Sequence, residues 1–123
     1  MDKAEVSGRE YALLPIFSVT SKGATARAIA LPGRAMLVLK GSRAVAHNAE
    51  GFGKGKPYYG LRAGLISKKH LAEDGDPDSL IATRDLLFGS PTAALTVMFG
   101  GGGSGPAHWK TSDGRTYKEV IGD

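Results

Sequence analysis

Ser90-Pro91 opens, and Gly100 closes, the most sharply bounded segment of this chain. A serine at the N-cap accepts a hydrogen bond from the first helical turn. A proline at the first helical position loses nothing, because its missing N–H would have had no partner there. Glycine just past the end adopts the left-handed conformation in which helices stop. Between these signals Ala94, Leu95, Val97 and Met98 recur at helical spacing. The stretch Thr83–Gly122 is arranged about this helix. Before it, Leu86-Leu87-Phe88 reads as a short apolar strand broken by Gly89. After it comes a glycine run, then Trp109 beginning a short strand that turns at Asp113-Gly114, then half a turn of helix.

Upstream, Ile16–Thr20 carries β-formers, and Ser21-Lys22-Gly23 reads as a turn. From Ala24 to Leu31 the pattern alternates, with Ala24, Ala26, Ala28 and Ala30 on one face. A face of small side chains lets another element, most simply a helix, approach closely. Pro32-Gly33 marks a second turn, and Ala35–Lys40 is the strongest strand pattern in the chain. Asn48–Pro57, rich in Gly and Lys, reads as a loop. Tyr58–Leu71 reads as a helix weakened at Gly60 and Gly64 by up to about 1 kcal/mol each. Glu73–Ser79 is an acidic turn, and Ile81–Phe88 is a strand with a polar interruption. The expected fold is α+β: a three-stranded antiparallel meander, then helix, strand, Ser-Pro-capped helix and a C-terminal strand-turn. Residues 1–123 are expected to form one domain, with 1–12 a frayed lead-in.

Composition excludes several classes. With no cysteine there is no disulfide framework, no thiolate nucleophile and no Cys-built zinc site. The first residues lack the apolar core of a signal peptide, and no apolar run approaches the ~20 residues of a membrane span. A soluble, cytoplasmic protein without membrane association is the expectation. Charge is divided unevenly: residues 1–71 carry 12 Lys/Arg against 4 Asp/Glu, and residues 72–123 carry 4 against 8. Such a division becomes a footprint for a polyanion if the fold gathers the cations on one face.

Catalytic and cofactor motifs fail on context. His47, His70 and His108 are far apart and none has metal-ligand spacing. The run from Asp74 to Asp78 lacks the ligand spacing and closing Glu of a calcium loop. In Gly51–Lys56, Pro57 stands where a P-loop needs Ser or Thr. Gly100–Gly105 fits a dinucleotide fingerprint by spacing, but it follows a helix and not a strand. No catalytic residue, metal site or cofactor is expected. Lys40-Gly41-Ser42-Arg43 is a better lead, offering two cations, a hydroxyl and a close-approach glycine, the group types that grip phosphates. Lys54, Lys56, Arg62, Lys68 and Lys69 would extend such a surface. Trp109, the one tryptophan, serves either to stack on a base or to cap the core.

The order of these features resembles a small bacterial domain of unknown function, found alone or appended to nucleases of the GIY-YIG type. The matching residues are Ser90-Pro91-Thr92-Ala93-Ala94, Gly100, Gly105, Trp109-Lys110 and Asp113-Gly114-Arg115-Thr116. They are joined upstream by Phe17–Arg27 and Val38–Arg43. The pattern is also similar to the RAMA domain, associated with restriction enzymes and adenine methylases. Together with the charge division, the resemblance leads to the expectation of a non-enzymatic DNA-binding accessory domain associated with nuclease or restriction-modification systems, with modified DNA as a candidate target. On this reading Lys40, Gly41, Ser42 and Arg43 hold the DNA backbone, Lys54, Lys56, Lys68 and Lys69 add long-range attraction, and the 100–110 loop, with Trp109 and Lys110, lies near the bases. Gly101, Ser104 and Pro106 replace the family's usual Arg, Asn and aromatic, which favours altered or non-specific recognition. The alternative is a protein-interaction module for a nuclease or methylase, with an apolar patch near Phe52, Tyr58, Tyr59 and Trp109.

Overall fold

The computed structural model describes residues 14–21 and 23–122. The expected lead-in at 1–12 and Lys22 of the first turn lie outside the described residues. The meander forms as its alternation requires: β1 (Ile16–Ser21), β2 (Ala24–Ala30) and β3 (Met36–Val38) pair antiparallel in order. A 3-10 turn at Pro32–Arg34 joins the last two.

Beyond the meander the sheet is richer than expected. β4 (Arg43–Val45) continues the line of β3 along the same edge of β2, while β6 (Ser79–Ala82) and β7 (Leu86–Phe88) pair against them. The pairs Met36↔Phe88 and Arg43↔Ile81 keep one register, so the four strands are a single ribbon interrupted in the middle. The expected strand 81–88 is therefore split. Against β2 the count differs: three steps from Ala28 to Thr25 match five from Val38 to Arg43. Two extra residues bulge out, and Gly41, at φ +91°, takes the left-handed position that a side chain would strain. Ser42 closes the gap. Its hydroxyl accepts from the Arg27 N–H (3.1 Å) and donates to the Arg27 carbonyl (3.3 Å), standing in for lost ladder bonds.

The helix α1 (Tyr59–Ser67) is shorter than its pattern, ending in a Schellman turn. His70 N–H bonds the Leu65 carbonyl and Lys69 N–H the Ile66 carbonyl, with Lys69 left-handed at φ +64°. The chain then adds the two-residue strand β5 (Leu71–Ala72) to β6.

The core sits between the sheet and α2 (Pro91–Phe99), whose Ala93–Met98 are all buried. A helix apolar on every side belongs inside. Its boundaries are those expected: the Ser90 hydroxyl accepts from Ala93 N–H at 3.0 Å, and Gly100 is left-handed. Ala26, Ala28 and Ala30 lie in the same buried cluster as α2, so the small-residue face does admit a helix. Each of Leu95, Val97 and Met98 contributes about 1.5–3 kcal/mol by burial.

The C-terminal region contains a short helix not foreseen, α3 (Gly105–His108), and the expected half-turn, α4 (Tyr117–Val120). The strand expected at Trp109 reduces to bridges from Lys110 to Ser18 and Thr116, which cover the outer edge of β1. Tyr117 anchors α4, packing on Phe17 at 5.3 Å between ring centroids, with the Arg34 guanidinium over its ring at 5.2 Å.

Candidate nucleic-acid interface

The Lys40–Arg43 segment is the bulge itself, and its four residues have different fates. Lys40 and Gly41 are exposed at the crest. Ser42 is buried, its hydroxyl spent on Arg27, so it is a structural plug with no access to a phosphate. Arg43 is held bidentate by Asp74 of the acidic turn and also donates to Ser79 Oγ at 2.9 Å. The hydrogen bond from Arg43 is the main reason that the Asp74 carboxyl lies below the usual aspartate range, and Asp74 in turn raises Arg43. The acidic turn thus already occupies the guanidinium.

The fold gathers other cations around the same crest. Gly41 N–H bonds the Ala82 carbonyl, and Lys40 N–H bonds Asp85 Oδ1 at 2.7 Å. Thr83 N–H bonds the His70 carbonyl, and the Thr83 hydroxyl donates to the Lys69 carbonyl at 2.9 Å. Three chain segments are thereby tied together: the bulge, the break between β6 and β7, and the end of α1. Carrying the ribbon register across the break sets Lys40 opposite Arg84. Lys40, Lys68, Lys69 and Arg84 are all exposed, and among the described residues none of the four is in an ion pair. Arg84 adds to the residues expected from the sequence. Its signal is the polar interruption Thr83-Arg84-Asp85 inside an otherwise apolar strand, which places a charged crest where the ribbon opens.

Lys54 and Lys56 belong to a second locality. The 49–58 segment forms one wall of a cleft of about 410 Å³. The other wall is Thr92 and Thr96 of α2 with Gly101–Gly103. Phe52, Lys56 and Tyr58 line it, and Phe52 also packs on Tyr59 with ring centroids 5.8 Å apart. Close approach of the walls requires glycine: a Cβ on Gly101 would lie 2.9 Å from that of Ala49. Ala49 N–H also bonds the Gly100 carbonyl at 2.8 Å.

Two expected surface residues are interior. Arg62 is 1% exposed, donating to Asn48 Oδ1 (2.8 Å), the Val97 carbonyl (2.7 Å) and the Val45 carbonyl (2.6 Å). It ties the end of β4, the start of the cleft loop and the last turn of α2, where a cation suits the helix dipole. Burial draws its pKa down from the ordinary arginine value. Trp109 is fully buried, its indole N–H donating to the Pro91 carbonyl at 3.0 Å, so it caps the core and stacks on nothing outside. Of the anticipated apolar patch, Phe52, Tyr58 and Tyr59 come together and Trp109 lies elsewhere. Lys110 is exposed, beside the bridged edge of β1.

Among the described residues no cluster of His, Asp and Glu side chains forms a metal site, and no helix is long and apolar enough to cross a membrane. The architecture defines a small α+β domain whose sheet is broken at a charged crest. Residues 17–121 match the family described as domain of unknown function DUF4357, and the chain belongs to that family. Neither the curated proteins nor the solved structures contain a match to it.

Proposed function

We propose that this is a non-enzymatic DNA-binding module that grips the phosphate backbone through the crest of Lys40, Lys68, Lys69 and Arg84. The observation that carries this reading is the convergence of four exposed cations from three segments, none in an ion pair among the described residues. Cations of this kind supply sequence-independent affinity and set register on a duplex. The contrast with Arg43, which the acidic turn neutralises, sharpens the footprint. A place beside a GIY-YIG-type nuclease or a restriction-associated methylase belongs to the same proposal. It rests on the Ser90-Pro91 and Trp109-Lys110 pattern, and a cytoplasmic setting accompanies it.

Fluorescence anisotropy with a labelled duplex across a salt series tests the reading. Affinity should fall steeply with salt. Lys40→Ala/Arg84→Ala should weaken binding and lower the salt slope by about one for each phosphate that the variant leaves unneutralised. Absence of binding at low salt overturns it.

A protein-interaction role is favoured by one observation: Leu87 is 67% exposed on β7, with Leu61 at 43% on α1. Stable dimers or hetero-complexes without nucleic acid would support that alternative.

A further inference from the structure

We infer that the cleft between the 49–58 segment and the glycine run receives a single nucleobase ring with its attached phosphate. The choice of ligand rests on the DNA reading, and the geometry of the cleft supplies the rest. Its volume, about 410 Å³, suits one planar ring system with part of its sugar. One wall offers the aromatic rings of Phe52 and Tyr58. The other presents the exposed backbone of Gly102, where a Cβ would meet nothing within 4 Å and a flat ring can lie close, held between Gly101 packed on Ala49 and Gly103 packed on Leu95. The Thr92 hydroxyl accepts from Gly105 N–H at 3.1 Å, leaving its own proton for a ring-edge acceptor. Lys56 at the cleft supplies the cation for a phosphate, and Glu50, also lining it, is an acceptor for an exocyclic amine.

The cleft is also held in shape before any ligand arrives. Arg62 fixes Asn48, the residue before one wall, and the Val97 carbonyl, next to Thr96 of the other. Tyr58 sits at φ +67°, a conformation costing a bulky residue of order 1 kcal/mol, stored where the aromatic wall turns into α1. α1 itself links cleft to crest: Tyr58 precedes its first residue, and Lys68 and Lys69 follow its last. A helix of this length spans about 14 Å, so a strand gripped at the crest has a few nucleotides in which to reach the cleft.

Three probes test this on the full chain: a fully paired labelled duplex, the same duplex with one unpaired adenine, and dAMP alone followed by amide NMR. The duplex with the unpaired base should bind roughly tenfold tighter, within the range of base–aromatic stacking. Phe52→Ala should abolish that preference and Phe52→Tyr keep it, both leaving the paired duplex bound as before. Lys40→Ala/Arg84→Ala should weaken both duplexes and leave their ratio alone. Equal binding of the two duplexes by the wild type, or a preference that survives Phe52→Ala, overturns the cleft proposal while the DNA reading stands. If neither duplex binds, the DNA reading falls. The cleft proposal then holds only if dAMP shifts the Gly101–Gly103 amides in the wild type and not in Phe52→Ala, and fails otherwise.

Discussion

The indole N–H of Trp109 donates to the carbonyl of Pro91 at 3.0 Å, joining the C-terminal hairpin to the first turn of the central helix. That carbonyl belongs to the residue that opens α2, and the ring that reaches it is fully buried. The two most recognisable signals of the sequence, Ser-Pro and Trp-Lys, are therefore one structural joint. Trp109→Phe should cost about 1–3 kcal/mol by leaving a buried acceptor unmatched, and Trp109→Ala about 3–5 kcal/mol by adding a cavity. Urea denaturation followed by circular dichroism measures both, and duplex affinity of the folded Phe variant should be unchanged.

Gly105 passes against the same turn. A Cβ there would stand 2.2 Å from the Pro91 carbonyl carbon and 2.4 Å from Thr92 N, backbone atoms that cannot step aside. Gly105→Ala should lower the melting temperature sharply or prevent folding. Gly60→Ala is the opposite case: it is a helical position with open space, and should stabilise by about 0.5–1 kcal/mol. Thermal melts of the two variants should move in opposite directions.

Arg62 donates to the Val45 and Val97 main-chain carbonyls and to the Asn48 amide oxygen. Arg62→Met should destabilise by about 2–5 kcal/mol, since each orphaned acceptor costs roughly 1–3. Lysine lacks the planar fork, so Arg62→Lys should fall nearer to Met than to wild type. Equilibrium unfolding in urea ranks the three.

Acid should loosen the C-terminal hairpin and the acidic turn. Hydrogen bonds hold three carboxyls below their ordinary values: Asp74 mainly from Arg43, Asp113 mainly from Thr111 and then Arg115, and Glu119 mainly from Thr116 N–H. A carboxyl depressed by folding contributes fully above its unfolded pKa and loses that contribution as pH falls through the folded one. Melting temperature should hold near neutrality and drop between about pH 5 and pH 2. Glu119→Gln keeps the capping box without the titration and should flatten part of that drop. An identical pH profile for that variant would remove the cap from the account.

The DNA-binding crest makes its own prediction against Arg43. Arg43→Ala should alter duplex affinity much less than Arg84→Ala, because Asp74 already neutralises the Arg43 guanidinium. A larger effect at Arg43, read by anisotropy at one salt concentration, would mean that DNA displaces the acidic turn.

Local chemistry was enough to place the meander, the Ser90–Gly100 helix and the Asp113-Gly114 turn. Alternation, caps and left-handed glycines act over a few residues and need no partner to be read. The alanine face of β2 likewise foretold a close helix, because small side chains leave room wherever they occur. What the sequence could not display was which surface each charge would meet. Ser42 and Arg43 look like phosphate ligands in isolation, yet the two-residue bulge turns the serine inward to Arg27, and the acidic turn, 31 residues on, claims the arginine. Arg62 resembled its neighbours Lys68 and Lys69 until the fold put two carbonyls beside it. Arg84 joined Lys40 only because the ribbon opens at both strands in register. Hydrogen bonds and charges act over a few ångströms in space, whatever their separation along the chain, so tertiary structure decided which cations became interior ties and which formed a surface.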